Sequence, residues 1–210
     1  MAKSKRPTAQ TPPPDVGAAT MCADAFYRSS LGFIRAVPAD ISLSGRYAGS
    51  NLGEMVVSAT NLAFAIELYL KALILQSGNA FPHIHLLSDL YRLLPLGLQD
   101  EIGSAFQARM DQADKVATAG VVVQIRLSSA GEPPFNNRGP LPRGCVALLQ
   151  RSAHMFVTWR YLFAHGETEP GKPIRFEYVS LCVLAEELRA RLPVTQGAVA
   201  GLGRLPLLSS

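Results

Sequence analysis

The feature that most constrains this chain is a single long apolar run, Asn61 to Leu75 (NLAFAIELYLKALIL), carrying two charges, Glu67 and Lys71. Leu62, Ile66, Tyr69 and Leu73 are spaced 4, 3 and 4 apart, so the run reads as a helix. A helix that is apolar nearly all round belongs at the centre of a fold, under other elements. As a transmembrane span, Asn61 to Leu75 reads as too short and too charged. Glu67 precedes Lys71 by four residues, the order that favours an ion pair along a helix. Phe64 and Leu75 share their face, so this is not an ordinary solvated surface. Charges on a central helix are costly unless paired or used. Two readings follow: a half-buried structural pair, or one wall of a polar site or dimer groove.

The rest of the chain reads as cover for that helix, which extends over about 50–77 with Gly78 placed as a C-terminal cap. A first helix is expected over about 18–36, anchored by Phe26, Phe33 and Ile34 and followed by Pro38. A shorter helix runs from His85 to Leu94 and is stopped by Pro95; a more polar one spans about 98–118. The cleanest seam lies in 145–164, where Leu148, Ser152, Met155, Trp159 and Leu162 repeat at 4, 3, 4 and 3. The last helix, about 175–192, carries Leu181, Leu184, Leu188 and Leu192 and ends before Pro193. Gly120 to Leu127 (GVVVQIRL) is β-branched enough for a strand, but no pairing segment is evident, so helix or loop is favoured. Residues 1–16 read as a disordered basic, proline-rich tail, 131–144 as a Pro/Gly-rich loop and 193–210 as a flexible tail. The expectation is one all-α domain over 17–192, a bundle of about five to six helices.

Charge narrows the partners. The net charge of +4 and pI near 9.1 suggest nucleic acid until the charge is located. Lys3, Lys5 and Arg6 against Asp15 leave +2 in the first sixteen residues, and Arg204 puts +1 in the last tail. Only +1 of the +4 remains for the middle of the chain, so basicity is mostly a property of the tails. Charged residues are 17% of the chain, below the usual quarter, which suggests that apolar surface is buried, partly between subunits. Cys22, Cys145 and Cys182 are odd in number and scattered, arguing against a disulfide framework or a cysteine zinc site. They read as buried, reduced thiols in a cytoplasmic protein. The opening MAKSKRPTAQTPPPD has positive charge but no apolar stretch behind it, so a secretory signal is not expected. No phosphate-binding loop, GxGxxG or GxSxG signature occurs, and no cofactor is expected.

One segment has chemistry of its own: TWRYLFAHGE, with Arg160 and His165. Five positions apart on a regular helix, these side chains point about 140° apart. They converge only if the helix ends between them, and Gly166 with the loop-like ETEPGKP behind it supplies such an end. An arginine offers permanent charge and paired donors to phosphate oxygens, and a histidine moves a proton near neutral pH. The plainer reading is that Arg160 satisfies the last carbonyls of its helix and His165 is an exposed cap residue; Arg-x4-His alone is a pattern of low specificity. His83 and His85 flank Ile84 before a helix, with His85 expected to hydrogen-bond locally near its N-terminus. His154 falls on the polar side of 145–164; without acidic or cysteine partners at ligand spacing, no metal site is expected. Asn136, Asn137 and Arg138 lie in a loop without a specific pattern.

Two stretches together resemble the HEPN superfamily. Residues 61–95 (NLAFAIELYLKALILQSGNAFPHIHLLSDLYRLLP) resemble its long helix and the following His-Leu-x-x-Leu helix, through Ala65, Glu67, Leu70, Lys71, His85, Leu86 and Leu90. FVTWRYLFAHG, residues 156–166, resembles its Arg-x4-6-His segment. The resemblance covers about 25–190 and implies a HEPN-like helical bundle that forms a homodimer with two motifs facing one groove. It also implies a metal-independent endoribonuclease in which a ribose 2′-hydroxyl attacks the adjacent phosphate, leaving a 2′,3′-cyclic phosphate and a 5′-hydroxyl. In that reaction His165 is the general acid/base and Arg160 holds the phosphate. Glu67, Lys71 and Tyr161 are supporting or wall residues. Many relatives are toxins or defence proteins, some paired with a nucleotidyltransferase antitoxin. Tyr161 departs from the small polar residue often found after the arginine in active members. Many bacterial relatives with a Trp-Arg-Tyr segment lack the histidine altogether. A non-catalytic HEPN module that binds a nucleotide or a protein partner is therefore the alternative.

Overall fold

In the computed structural model the described residues are 15–32, 50–115, 123–125, 144–155 and 174–193. They form six helices: α1 Val16–Ser30, α2 Ser50–Gln76, α3 Leu87–Arg92, α4 Leu96–Lys115, α5 Cys145–Arg151 and α6 Tyr178–Arg189. The fold is all-helical, as its periodicity predicts. The only other regular structure among the described residues is a pair of three-residue strands, β1 Val123–Ile125 and β2 Ile174–Phe176.

Helix α2 is the hub. It packs along α1 and also meets α3 and α6, while α6 in turn contacts α4 and α5. Leu62, Ile66, Tyr69, Leu70 and Leu73 are fully buried on it, as are Leu181, Leu184 and Leu188 on α6. Taken from Gly53 to Gln76, α2 is by length and composition long and apolar enough to cross a membrane, although its run Asn61 to Leu75 alone is too short. Yet 72% of its most apolar window is buried inside the protein, because α1, α3 and α6 occupy the faces that lipid would otherwise cover.

The helix ends are set locally. The Asp15 carboxylate accepts from the Gly17 amide at 2.8 Å and opens α1. Gly78 closes α2 in the left-handed region, φ +80°, with Gly78 N–H donating to Leu75 O and Asn79 N–H to Ile74 O. That double return is the Schellman cap. Helix α1 stops at Ser30, short of the expected 36, and the Ser30 hydroxyl donates back to Tyr27 O at 2.7 Å. A serine bonding its own preceding turn competes with helix propagation. Phe33 and Ile34 lie outside the described residues.

Three other boundaries differ from expectation. The third helix is only Leu87–Arg92, leaving His85 in the non-helical chain before it. The expected single helix over 145–164 is interrupted: α5 ends at Arg151 and turns through 152–154, with Met155 N–H donating to Ser152 O at 2.9 Å. Leu148, Ser152 and Met155 of the predicted seam are nonetheless all buried; Trp159 and Leu162 lie outside the described residues. Val123–Ile125 is a strand rather than helix or loop, paired antiparallel with Ile174–Phe176 in the register Val123↔Phe176, Gln124↔Arg175 and Ile125↔Ile174. Its partner occupies the expected start of the last helix, which therefore begins later, at Tyr178. The predicted tails at 1–14 and 194–210, and the loop residues 131–143, lie outside the described residues.

Polar side chains tie the helices across the core. Asp24 of α1 accepts from Tyr69 of α2 and from Arg189 of α6, both at 2.7 Å. Tyr27 donates to Glu186 at 2.6 Å, and Arg109 of α4 binds Glu186 and Glu187 together. Burial works against the Arg109 cation, but the two carboxylates outweigh it and hold its pKa above the ordinary value. Charges desolvated by the bundle are thus paired across three helices.

Candidate functional site

Glu67 and Lys71 face the α2–α3 connection, and that connection folds back over them. Their side chains are 4% and 5% exposed, and Lys71 Nζ lies 2.8 Å from Glu67 Oε1. The pair is therefore buried rather than half-buried. The Phe81 ring sits against the ammonium, its centroid 5.1 Å from Nζ, and His83 meets Phe81 edge-on at 5.9 Å. His85 reaches the same carboxylate, with Nδ1 2.9 Å from Glu67 Oε1. The cap at Gly78 makes this return possible. From Gln76 back to Glu67 is roughly 14 Å along the helix, and the chain from Gly78 to His85 can span up to about 23 Å.

The electrostatics of the cluster are uneven. Oε1 of Glu67 takes both the ammonium and the imidazole, whereas Oε2 is buried with no hydrogen-bond partner among the described residues. Leaving a buried acceptor unmatched costs about 1–3 kcal/mol. A carboxylate has only lone pairs to offer, so Nδ1 of His85 is the donor and carries the proton. The His85 side chain is 69% exposed, so with Nδ1 turned inward Nε2 is open to solvent. The arrangement is a carboxylate anchored in the core that orients an imidazole at the surface, next to a buried cation.

The sequence-predicted pair Glu67–Lys71 is thus brought together. His85 joins it across eighteen residues instead of bonding locally near the N-terminus of its helix. Neither this contact nor the role of Phe81 is visible from helical spacing. The available signal is the glycine cap followed by a connection long enough to return. Arg160, Tyr161 and His165 lie outside the described residues, as do Asn136, Asn137 and Arg138. Of the helix expected to carry Arg160 in its last turn, only the part up to Met155 is described; the guanidinium of Arg151, at the end of α5, is held by Glu177 at 2.9 Å. His154 is exposed in the turn that follows.

A concavity of about 620 Å³ elsewhere among the described residues is lined by residues of α3, α4 and α5 that include Tyr91, Asp100, Ser104, Cys145 and Gln150. Burial pushes the Cys145 thiol up to about 12 despite the Tyr91 hydrogen bond, so it stays protonated and is no nucleophile at neutral pH. Among the described residues no three His, Cys, Asp or Glu side chains are grouped to hold a metal ion. No family model, curated protein or solved structure matches this chain.

Proposed function

We propose that this protein is a HEPN-like endoribonuclease that cleaves RNA without a metal ion, by attack of a ribose 2′-hydroxyl on the adjacent phosphate. Arg160 holds the phosphate and His165 transfers protons, in a cytoplasmic homodimer with a toxin–antitoxin or defence role. A nucleotidyltransferase is the expected antitoxin where there is one. The observation that carries the reading is the Glu67–Lys71–His85 cluster. An otherwise apolar central helix spends two buried charges on it, at the positions where the HEPN resemblance expects a site wall. Buried charges are costly to keep without a use.

One observation favours a second reading. The Glu67–Lys71 pair is compensated internally and covered by Phe81, which suits a purely structural anchor for the α2–α3 connection. In that case the protein is a non-catalytic HEPN module holding a nucleotide or a protein partner.

Single-turnover cleavage of a single-stranded RNA in EDTA separates the two. Wild type should yield 2′,3′-cyclic phosphate ends, and Arg160→Ala or His165→Ala should slow cleavage about 100-fold or more. No cleavage of any RNA by the wild type, together with a nucleotide or protein retained through size-exclusion, would establish the second reading instead.

A further inference from the structure

We infer that the α2–α3 connection, Asn79 to Leu86, is a latched strap that swings off α2 while the bundle stays folded, and so bares the Glu67–Lys71 pair. The latch is the contact of His85 Nδ1 with Glu67 Oε1, at 2.9 Å. A second hold is the Phe81 ring against the Lys71 ammonium. The strap works whether or not the protein cleaves RNA.

Both ends of the strap are fixed. At one end the amides of Gly78 and Asn79 return to Leu75 O and Ile74 O; at the other Leu86 O accepts from Asp89 and Leu90. Little holds the chain between them. Among the described residues, Ala80 to His85 make no backbone hydrogen bond. Ala80, His83, Ile84 and His85 are exposed, and Phe81 and Pro82 are only half-buried. The contact of Phe81 with His83 lies within the strap and moves with it. Opening therefore breaks two side-chain contacts and no helical hydrogen bond. Segments with few buried contacts and no backbone ladder open at the low end of local stability.

The groups under the strap favour its opening. A cover over apolar side chains is held down by their burial. This one lies over a carboxylate and an ammonium, both of which lose hydration beneath it. It also satisfies them incompletely, since Glu67 Oε2 is buried without a partner among the described residues. Opening hydrates Oε2 and leaves Oε1 to Lys71 alone. The Lys71–Glu67 bond itself lies within α2 and survives.

The latch is also reachable. The His85 side chain is largely in solvent although its partner is buried, so whatever binds the imidazole from outside acts on the latch directly. The strap thus couples an exposed ring to the exposure of a buried ion pair.

The test reads the reactivity of the Lys71 amine in the full chain. Acetylation by an N-hydroxysuccinimide ester in mildly alkaline buffer is followed at Lys71 by peptide mass, as an initial rate relative to the same lysine in denaturant. The rate is measured across urea concentrations below the unfolding transition. Opening of the strap exposes little surface, whereas unfolding exposes much, so only an unfolding route depends steeply on urea. Wild type should acetylate Lys71 more slowly than the denatured chain, at a rate nearly flat in low urea. His85→Ala removes the latch from an exposed position and should raise that flat rate about tenfold or more. A wild-type rate that climbs from zero urea with the full slope of unfolding overturns the inference, because the pair is then bared only when the bundle unfolds. So does a rate unchanged in His85→Ala, or one that rises there only with the full slope. A native Lys71 as reactive as the denatured one overturns it as well, because the strap then covers nothing.

Discussion

At Glu67 a single carboxylate oxygen serves an ammonium and an imidazole while its twin is buried without a partner among the described residues. Removing Lys71 from such a site strands a buried charge, which is why spacing alone underestimates what the pair costs and anchors. The i, i+4 order of Glu67 and Lys71 is legible in the sequence, because helical neighbours follow from periodicity. The part played by His85 is not, because its partner is fixed by how far the connection returns, and no local pattern encodes that. The cysteines make a sharper residue-scale prediction. Burial raises the Cys145 and Cys182 thiols, whereas Cys22, expected from the sequence to be buried, is exposed on α1. A thiol reagent at pH 8 should therefore consume one equivalent quickly in the folded protein and all three in denaturant. Rapid reaction of two or more thiols under native conditions would contradict the burial of α5 and α6.

The elements differ in how they are specified. Helix α2 is written twice, in its apolar spacing and in its glycine cap, and its observed bounds agree with the expected ones to within a residue. The cap is testable. Gly78 has φ +80°, and a Cβ added there would meet nothing within 4 Å, so Gly78→Ala should cost only the backbone penalty, about 1 kcal/mol. A denaturation midpoint lowered by that amount at unchanged slope is the expected result; an unaltered midpoint would mean that α2 ends differently. The 145–164 segment shows the opposite behaviour. Its spacing marks Leu148, Ser152 and Met155 as buried, and they are, yet the backbone turns at 152–154. Apolar spacing reports which side faces the core and is insensitive to a tight turn that preserves that side. The short ribbon escapes the sequence for a related reason. Val123–Ile125 is strand-like by composition, but a strand of three residues exists only through its partner, and Ile174–Phe176 lies about fifty positions away.

Across the whole molecule the core holds an unusual set of ionisable groups. Burial raises the pKa of Tyr27, with Cys182 and Glu186 adding to it; of Tyr69, with Asp24 adding; and of Tyr178, Cys145 and Cys182. In the unfolded chain these thiols and phenols ionise near their ordinary values of 9.0 and 10.0. Below about pH 9 both states keep their protons, and stability is complete. Above it the unfolded chain loses protons that the folded protein retains, so stability falls as pH rises. Each such group contributes about 1.4 kcal/mol per pH unit beyond its unfolded pKa. Urea midpoints measured from pH 7 to pH 11 should hold level to about pH 9 and then drop; a flat profile to pH 11 would show that these groups are not sealed from water. The helical class, the central helix and its charged pair are legible in the amino-acid order, because periodicity and the scarcity of charge are properties of short windows. The burial of the Glu67–Lys71 pair, its contact with His85, and the joining of three helices by Asp24, Tyr69 and Arg189 arise from packing. These are contacts between residues far apart in the chain, and their geometry depends on how the helices pack.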